Sequence, residues 1–144
     1  MDIIAGLAPL LVGSVEKIPF GPGSFDTILC CEVLEHLPYS SFGPAVKNMA
    51  ETARRFLILS LPDVSTVYRV HLELPRMKKI KAMFHHPFPR PIPHTYDGEH
   101  NWEIGKKSYS LKRIMEDIVF CGLKIIETYR VFEFPYHRFF ILTK

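Results

Sequence analysis

Glycine is scarce where a phosphate or ribose would need it. The 144 residues include eight glycines. None of them forms a Gly-rich turn after a strand-like run, where backbone N–H groups and a helix N-terminus could cradle such a ligand. Gly21-Pro22-Gly23 is the only close pair; it precedes a strand and is interrupted by proline, so it reads as a turn. Cysteine is scarce as well, with three residues, Cys30, Cys31 and Cys121. Two adjacent thiols inside an apolar run suit buried free cysteines better than a disulfide framework or a zinc site, and make a reducing, cytoplasmic setting the default. The apolar stretch from Ile3 to Val12 is far short of the ~20 residues that span a bilayer. No basic residue precedes it, so it is a poor signal peptide too. There is no internal repeat and no long low-complexity segment. Charge of one sign is missing locally: no acid occurs from Leu74 to Tyr96. The overall net charge of +3, with a pI near 8.8, is too mild to argue for nucleic acid without a localised patch.

What is present fits one domain with a sizeable core, since 47% of the chain is hydrophobic and 23% charged. The chain is organised around Ser24 to His36. Turn chemistry at Gly21-Pro22-Gly23-Ser24 opens it, and Phe25 to Cys31 is an almost continuous apolar run, the pattern of a strand buried on both faces of a parallel sheet. Polarity returns at Glu32, Glu35 and His36. Charged groups just past the carboxyl end of a buried strand lie where open α/β sheets bind ligands.

In chain order, Leu10 to Val15 reads as a short buried strand. Ser40 or Ser41 can cap a helix from about Phe42 to Arg54, with Phe42, Val46, Met49, Ala50 and Ala53 at helical spacing. Phe56 to Leu61 is a second buried strand, so strand, helix and strand make a βαβ unit. Asp63 is placed to cap a helix through Val64 to Leu74, ended by Pro75. A basic, Pro-rich insertion covers about 74–96 and includes Arg76, Lys78, Lys79, Lys81 and Arg90. Such a stretch could attract an anionic substrate, although solvated faces look the same. Ser110 is a cap for a helix from Leu111 to Cys121, and Gly122 is its stop. Leu123 to Phe134 and Arg138 to Thr143 read as an antiparallel hairpin.

Pro19-Phe20, Ser24-Phe25-Asp26 and Glu32-Val33-Leu34-Glu35-His36, in that order, resemble the fourth-strand region of class I S-adenosylmethionine-dependent methyltransferases. A parallel sheet finished by a helix and an antiparallel hairpin agrees. The resemblance implies an α/β fold, an incomplete Rossmann-like methyltransferase fold in a single domain covering 1–144, with S-adenosylmethionine as cofactor and the acceptor unassigned. It covers the C-terminal part of that fold only, because the first strand and the Gly-rich cofactor turn have no counterpart. A non-catalytic interaction or regulatory module derived from such an enzyme is the alternative. By resemblance, Asp2 ends the second strand and binds ribose hydroxyls, Ser14 and Val15 lie at the adenine step, and Cys31 and Glu32 lie beside the methionine end. The unpaired edge of the strand Phe25–Cys31 is expected to be covered by homodimerisation or element swapping, or by the chain's own N-terminal segment; a monodisperse monomer in light scattering would exclude the dimer.

Glu35, His36 and the distant His100 are the candidate catalytic residues. At i, i+3, i+4 spacing, Glu32, Glu35 and His36 would share one side of a helical turn. The Glu-x-x-Glu-His pattern also resembles that of plant-type small-RNA 2′-O-methyltransferases, in which two Glu and two His hold a divalent ion. The same five residues occur widely in methyltransferases without one, so no metal is assigned on sequence. Trp102, Tyr109, Tyr129, Tyr136 and His137 are candidates for a substrate pocket or, equally, for core packing.

Overall fold

A computed structural model of the chain describes residues 11–75, 78–88 and 90–144. The elements are β1 (Phe25–Cys31), α1 (Phe42–Thr52), β2 (Ala53–Pro62), β3 (Val67–Leu72), β4 (Ile80–His85), α2 (Leu111–Phe120), β5 (Lys124–Arg130) and β6 (His137–Thr143). Four of the strands form one sheet in the order β1-β2-β6-β5. The sheet is parallel where β1 meets β2, then antiparallel from β2 to β6 and from β6 to β5. This is the expected α/β architecture, with a parallel part running into a terminal antiparallel hairpin.

Helix α1 forms where the sequence places it. Phe42, Ala45, Val46, Met49 and Ala50 recur one helical turn apart and are all buried. They meet Leu57 and Leu59 of β2, Phe140 and Leu142 of β6, and Ile114 and Ile118 of α2 in one core. Each fully buried large side chain there is worth about 2 kcal/mol relative to exposure. Along β6 burial alternates strictly, with Arg138, Phe140 and Leu142 inside. A strict period of two is the mark of a sheet covered on one face. Ser110 caps α2 as expected, its Oγ accepting from the Arg113 N–H at 3.2 Å, and Gly122 follows with φ +86. Ser41 sits at the start of α1 but donates its hydroxyl to Glu16 Oε1 at 2.8 Å, so it makes no cap bond.

Three expectations fail. The segment at Leu11–Val15 forms no buried strand: Ser14 makes an isolated bridge to Lys17, and Leu11 and Val12 are exposed. Leu10 lies outside the described residues. The helix predicted over Val64–Leu74 is a two-stranded antiparallel sheet, with Tyr68 opposite Phe84, Val70 opposite Ala82 and Leu72 opposite Ile80. Val-Tyr-Arg-Val-His-Leu alternates with a period of two, and its β-branched and aromatic residues favour strand over helix. The strand β1 is also not buried on both faces. Leu29 is 65% exposed and Phe25 is exposed too, because among the described residues nothing covers the strand face that carries Phe25, Thr27, Leu29 and Cys31, while Ile28 and Cys30 face the core. Cys31 is correspondingly exposed, while Cys30 is buried.

A second anchor lies past β2. Ile104 runs parallel to Asp63, with its N–H donating to Pro62 O at 3.0 Å and its carbonyl accepting from Val64 N–H at 2.9 Å. Gly105 makes this approach possible. It has φ +94, and a Cβ there would stand 2.8 Å from the Ser65 backbone nitrogen. Among the described residues no helix is long and apolar enough to cross a membrane.

Candidate functional site

The chain leaves β1 through Glu32, which has φ +50. A non-glycine residue in the left-handed region is held there by its surroundings. The Glu32 N–H donates to Ser60 O at 3.1 Å, and its carboxylate accepts from the Ser60 hydroxyl. The other carboxylate oxygen faces His137 Nε2 at 3.8 Å. Glu32 is thereby turned toward β2 and β6, and it does not share a helical face with Glu35 and His36. Those two belong to a single 3-10 turn, Leu34–His36.

Sixty-odd residues later the segment His100-Asn101-Trp102-Glu103 is strapped onto that turn. Asn101 N–H donates to Glu35 O at 2.7 Å, Asn101 Nδ2 to His36 O at 2.8 Å, and Trp102 Nε1 to Leu37 O at 3.2 Å. These bonds bring His100 beside His36, with ring centroids 5.1 Å apart. The sequence candidates Glu35, His36 and His100 therefore converge, each offering a ligand atom within 4.8 Å of the others.

The electrostatics of the cluster are uneven. Glu35 has no solvent exposure, and neither carboxylate oxygen has a hydrogen-bond partner. Burial pushes its carboxyl up to about 7; its own backbone N–H opposes this from outside bonding geometry, and the Glu32 charge adds to the rise. His36 and His100 pull the other way. His36 Nε2 lies 3.9 Å from Glu35 Oε1, while its Nδ1 meets the carbonyl of Glu99 at 2.9 Å. A carbonyl only accepts, so Nδ1 carries the hydrogen.

Behind His100 stands Glu103, which sequence reasoning did not single out. Its Oε1 accepts from Tyr136 Oη at 2.7 Å and faces His100 Nδ1 at 3.2 Å, and its Oε2 lies 3.7 Å from Lys106 Nζ. Burial raises the Glu103 carboxyl, but the bonds from Tyr136 and His100 and the charges of Lys106 and His100 outweigh it, leaving it below the usual carboxylate range. Burial and the same hydrogen bond push the Tyr136 phenol above its ordinary range. Tyr136 is thus a polar partner of the cluster. Trp102, by contrast, is fully buried core, edge-on to Phe42. Tyr109 packs beside it, and Tyr129 stacks on Phe139.

The cofactor candidates are less gathered. Asp2 lies outside the described residues. Ser14 is engaged in a turn, its Oγ accepting from Glu16 N–H at 3.2 Å, and Val15 is partly buried against the core. Cys31 and Glu32 stand together at the carboxyl end of β1. In the basic stretch, Lys79 pairs with Glu73 and Lys81 with Glu133; Arg76 lies outside the described residues. An open groove of about 630 Å³ runs along α2 past Leu111, Met115 and Phe120, and no member of the Glu35 cluster lines it.

The family defined as the methyltransferase domain matches residues 4–58. No curated protein matches the chain. Among solved structures the chain is similar to magnesium protoporphyrin IX methyltransferase from Synechocystis PCC 6803 with bound SAH, at 18% identity and a TM-score of 0.50, covering 93% of this chain and 50% of that one. It is also similar to an S-adenosylmethionine-dependent methyltransferase from Clostridium acetobutylicum ATCC 824, at 7% identity and a TM-score of 0.55, covering 92% and 63%. A third is the 1,6-didemethyltoxoflavin-N1-methyltransferase of Burkholderia thailandensis, at 10% identity and a TM-score of 0.54, covering 92% and 48%. The chain therefore spans between 48% and 63% of the length of these structures. Residues 4–58 thus resemble the methyltransferase domain family, and the described part shares its α/β fold with part of these S-adenosylmethionine-dependent methyltransferase structures.

Proposed function

We propose that the chain takes part in S-adenosylmethionine-dependent methyl transfer, with the groups gathered past β1 handling the acceptor. One observation carries the reading. Glu32, Glu35 and His36 follow directly on the carboxyl end of β1, in the segment that matches the methyltransferase family, and α/β sheets bind ligands at that end. Bound S-adenosylmethionine supplies an electrophilic methyl carbon. When bound, it would give up that methyl to the acceptor's lone pair as its carbon–sulfur bond breaks, and the groups past β1 would hold the acceptor in line with that bond. In-line alignment of the two reactants provides most of the acceleration.

Within this reading Cys31 and Glu32 form the wall against the cofactor's methionine end, the backbone at Ser14 and Val15 meets the adenine, and Asp2 binds the ribose hydroxyls. The residues described here fit the cofactor in part, through the open carboxyl end of β1. Glu35, His36 and His100 take up the proton when the acceptor must lose one, and Glu103 and Tyr136 hold His100 in place.

Isothermal titration of the 144-residue chain with S-adenosylhomocysteine tests the proposal. Saturable binding in the micromolar range is expected, weakened by Glu32→Ala. Absence of binding would transfer the chain to the alternative class, a methyltransferase-derived module that acts by interaction.

A further inference from the structure

We propose that the outward face of the β3–β4 ribbon is a docking surface for an anionic lipid bilayer. The ribbon carries its side chains the wrong way round for an ordinary protein surface. In an antiparallel pair, residues directly opposite each other point to the same side, and successive residues alternate. On one side lie Arg69 opposite Met83 and His71 opposite Lys81. That side is seated on the turn before β6. Arg69 Nη1 donates to the carbonyls of Phe132 and Glu133 at 3.0 and 2.9 Å, Lys81 pairs with the Glu133 carboxylate, and His71 meets the Phe132 ring edge-on. The other side carries Tyr68 opposite Phe84, Val70 opposite Ala82 and Leu72 opposite Ile80. Apart from the small Ala82, each of these is between 40% and 56% exposed. The polar side is turned to the chain and the apolar side to the outside. Half-covered sheets ordinarily do the reverse, and a contiguous apolar patch of this kind marks a contact surface.

The same ribbon ends in a cationic pocket. Thr66 and His86 extend the alternation of Tyr68 and Phe84, with the His86 N–H donating to Thr66 O at 3.0 Å and the rings of Tyr68 and His86 5.8 Å apart. Among the described residues Thr66, His86, Phe88 and Arg90 line an open pocket of about 520 Å³. His86 Nδ1 accepts from the Phe88 N–H at 3.1 Å, so in the neutral ring Nε2 carries the hydrogen. A guanidinium, a hydroxyl and an imidazole N–H are the donors that suit a phosphodiester. At the other end of the ribbon Lys78 is exposed, and Glu73 is paired with Lys79. No acid occurs from Leu74 to Tyr96.

These features select among occupants. An apolar strip bordered by cations at both ends matches a bilayer interface, where headgroup phosphates lie above acyl chains. A second copy of this chain would bring the acid-free stretch against itself, cation to cation. A single-stranded nucleic acid would use the rings of Tyr68, Phe84 and Phe88, but it has nothing to place on Val70, Leu72 and Ile80. None of these side chains belongs to the cluster of Glu35, His36 and His100. The inference therefore does not depend on the methyl-transfer reading.

Sedimentation of the full chain with vesicles tests the proposal, comparing pure phosphatidylcholine with a mixture of phosphatidylcholine and phosphatidylserine at about 2:1. Expected is at least about tenfold stronger partitioning onto the anionic vesicles, weakening as salt rises. The double substitution Leu72→Asn, Ile80→Asn should lower it at least about tenfold and Arg90→Gln about fivefold. Leu29→Asn, at an exposed apolar position on β1, should stay within about twofold of wild type. Phe84→Trp gives a second readout: its emission should shift to the blue and be quenched by lipids brominated on the acyl chain, which headgroup attraction alone would not produce. The proposal is overturned if the folded chain does not bind the anionic vesicles, if Leu29→Asn weakens binding as much as the double variant does, or if the new indole is not quenched. It is equally overturned if the double variant keeps vesicle binding and instead loses self-association or uptake of a single-stranded oligonucleotide.

Discussion

Asp63, just past β2, and Glu35, just past β1, are both buried acids, at 1% and 0% exposure, and they meet opposite treatment. Asp63 is enclosed by partners. Its Oδ2 accepts from Arg138 Nε at 2.7 Å, its Oδ1 accepts from Ser65 N–H at 2.9 Å and lies 3.5 Å from Arg130 Nη1. The Arg130 guanidinium is occupied in turn by the carbonyls of Asp63, Ser65 and Pro135. Burial holds that guanidinium below its usual range while the Asp63 charge opposes the shift. Glu35 has none of this. Two carboxylic acids at neighbouring strand ends of one sheet thus differ: one is a joint that holds the hairpin to β2, and the other is buried without a hydrogen-bond partner. The difference teaches that burial alone does not mark function; burial without a partner does.

The comparison breaks most visibly if Asp63 is removed. Asp63→Ala leaves two buried guanidinium groups without their acid and should destabilise the chain by about 3–5 kcal/mol, read from urea denaturation. A loss below about 1 kcal/mol would show that Asp63 is no more a joint than Glu35 is. Gly105→Ala comes next. It forces a side chain into a left-handed backbone and against Ser65, the residue that donates to Asp63, at a cost of about 2 kcal/mol. Urea denaturation reads the loss, and unchanged stability would mean that Ser65 can move aside without disturbing Asp63. The smallest effect sharpens the contrast. In urea Glu35→Gln should unfold within about 0.5 kcal/mol of wild type or above it, since it removes a buried charge and breaks no hydrogen bond. A loss comparable to that of Asp63→Ala would mean that Glu35 has a donor after all.

Thiol chemistry offers an independent check on β1. Burial, with the charges of Glu35 and Cys31 adding, pushes the Cys30 thiol up to about 12, whereas Cys31 is exposed. A maleimide at neutral pH should therefore label Cys31 and leave Cys30 until the chain is unfolded. Equal labelling rates in mass spectrometry would show that β1 is not held against β2 as described.

Local signals in the sequence determined the strand β1, the amphipathic α1, β2 as its parallel partner, the capped α2 and the terminal hairpin. Each rests on periodicity, capping or turn chemistry within about fifteen residues, and such signals act before any distant contact forms. The same holds for the acids and histidine past β1, and His100 was legible as a candidate. What the sequence could not decide were the matters settled by partners far along the chain. Asp63 looked like a helix cap because its arginines lie 67 and 75 residues away, and only the register of β6 on β2 brings them in. Glu32 was grouped with Glu35 and His36 by spacing, yet its left-handed backbone turns it to Ser60. The alternation of Val67 to Leu72 was present in the sequence and was outweighed by the cap signal of Asp63. Tyr136 stood out only as one of several aromatic candidates for a pocket or the core, and Glu103 gave no local sign at all. Their role exists only where Asn101 and Trp102 tie the 99–104 segment across 65 residues to the turn at Glu35, because hydrogen bonds between distant segments depend on how the whole sheet assembles.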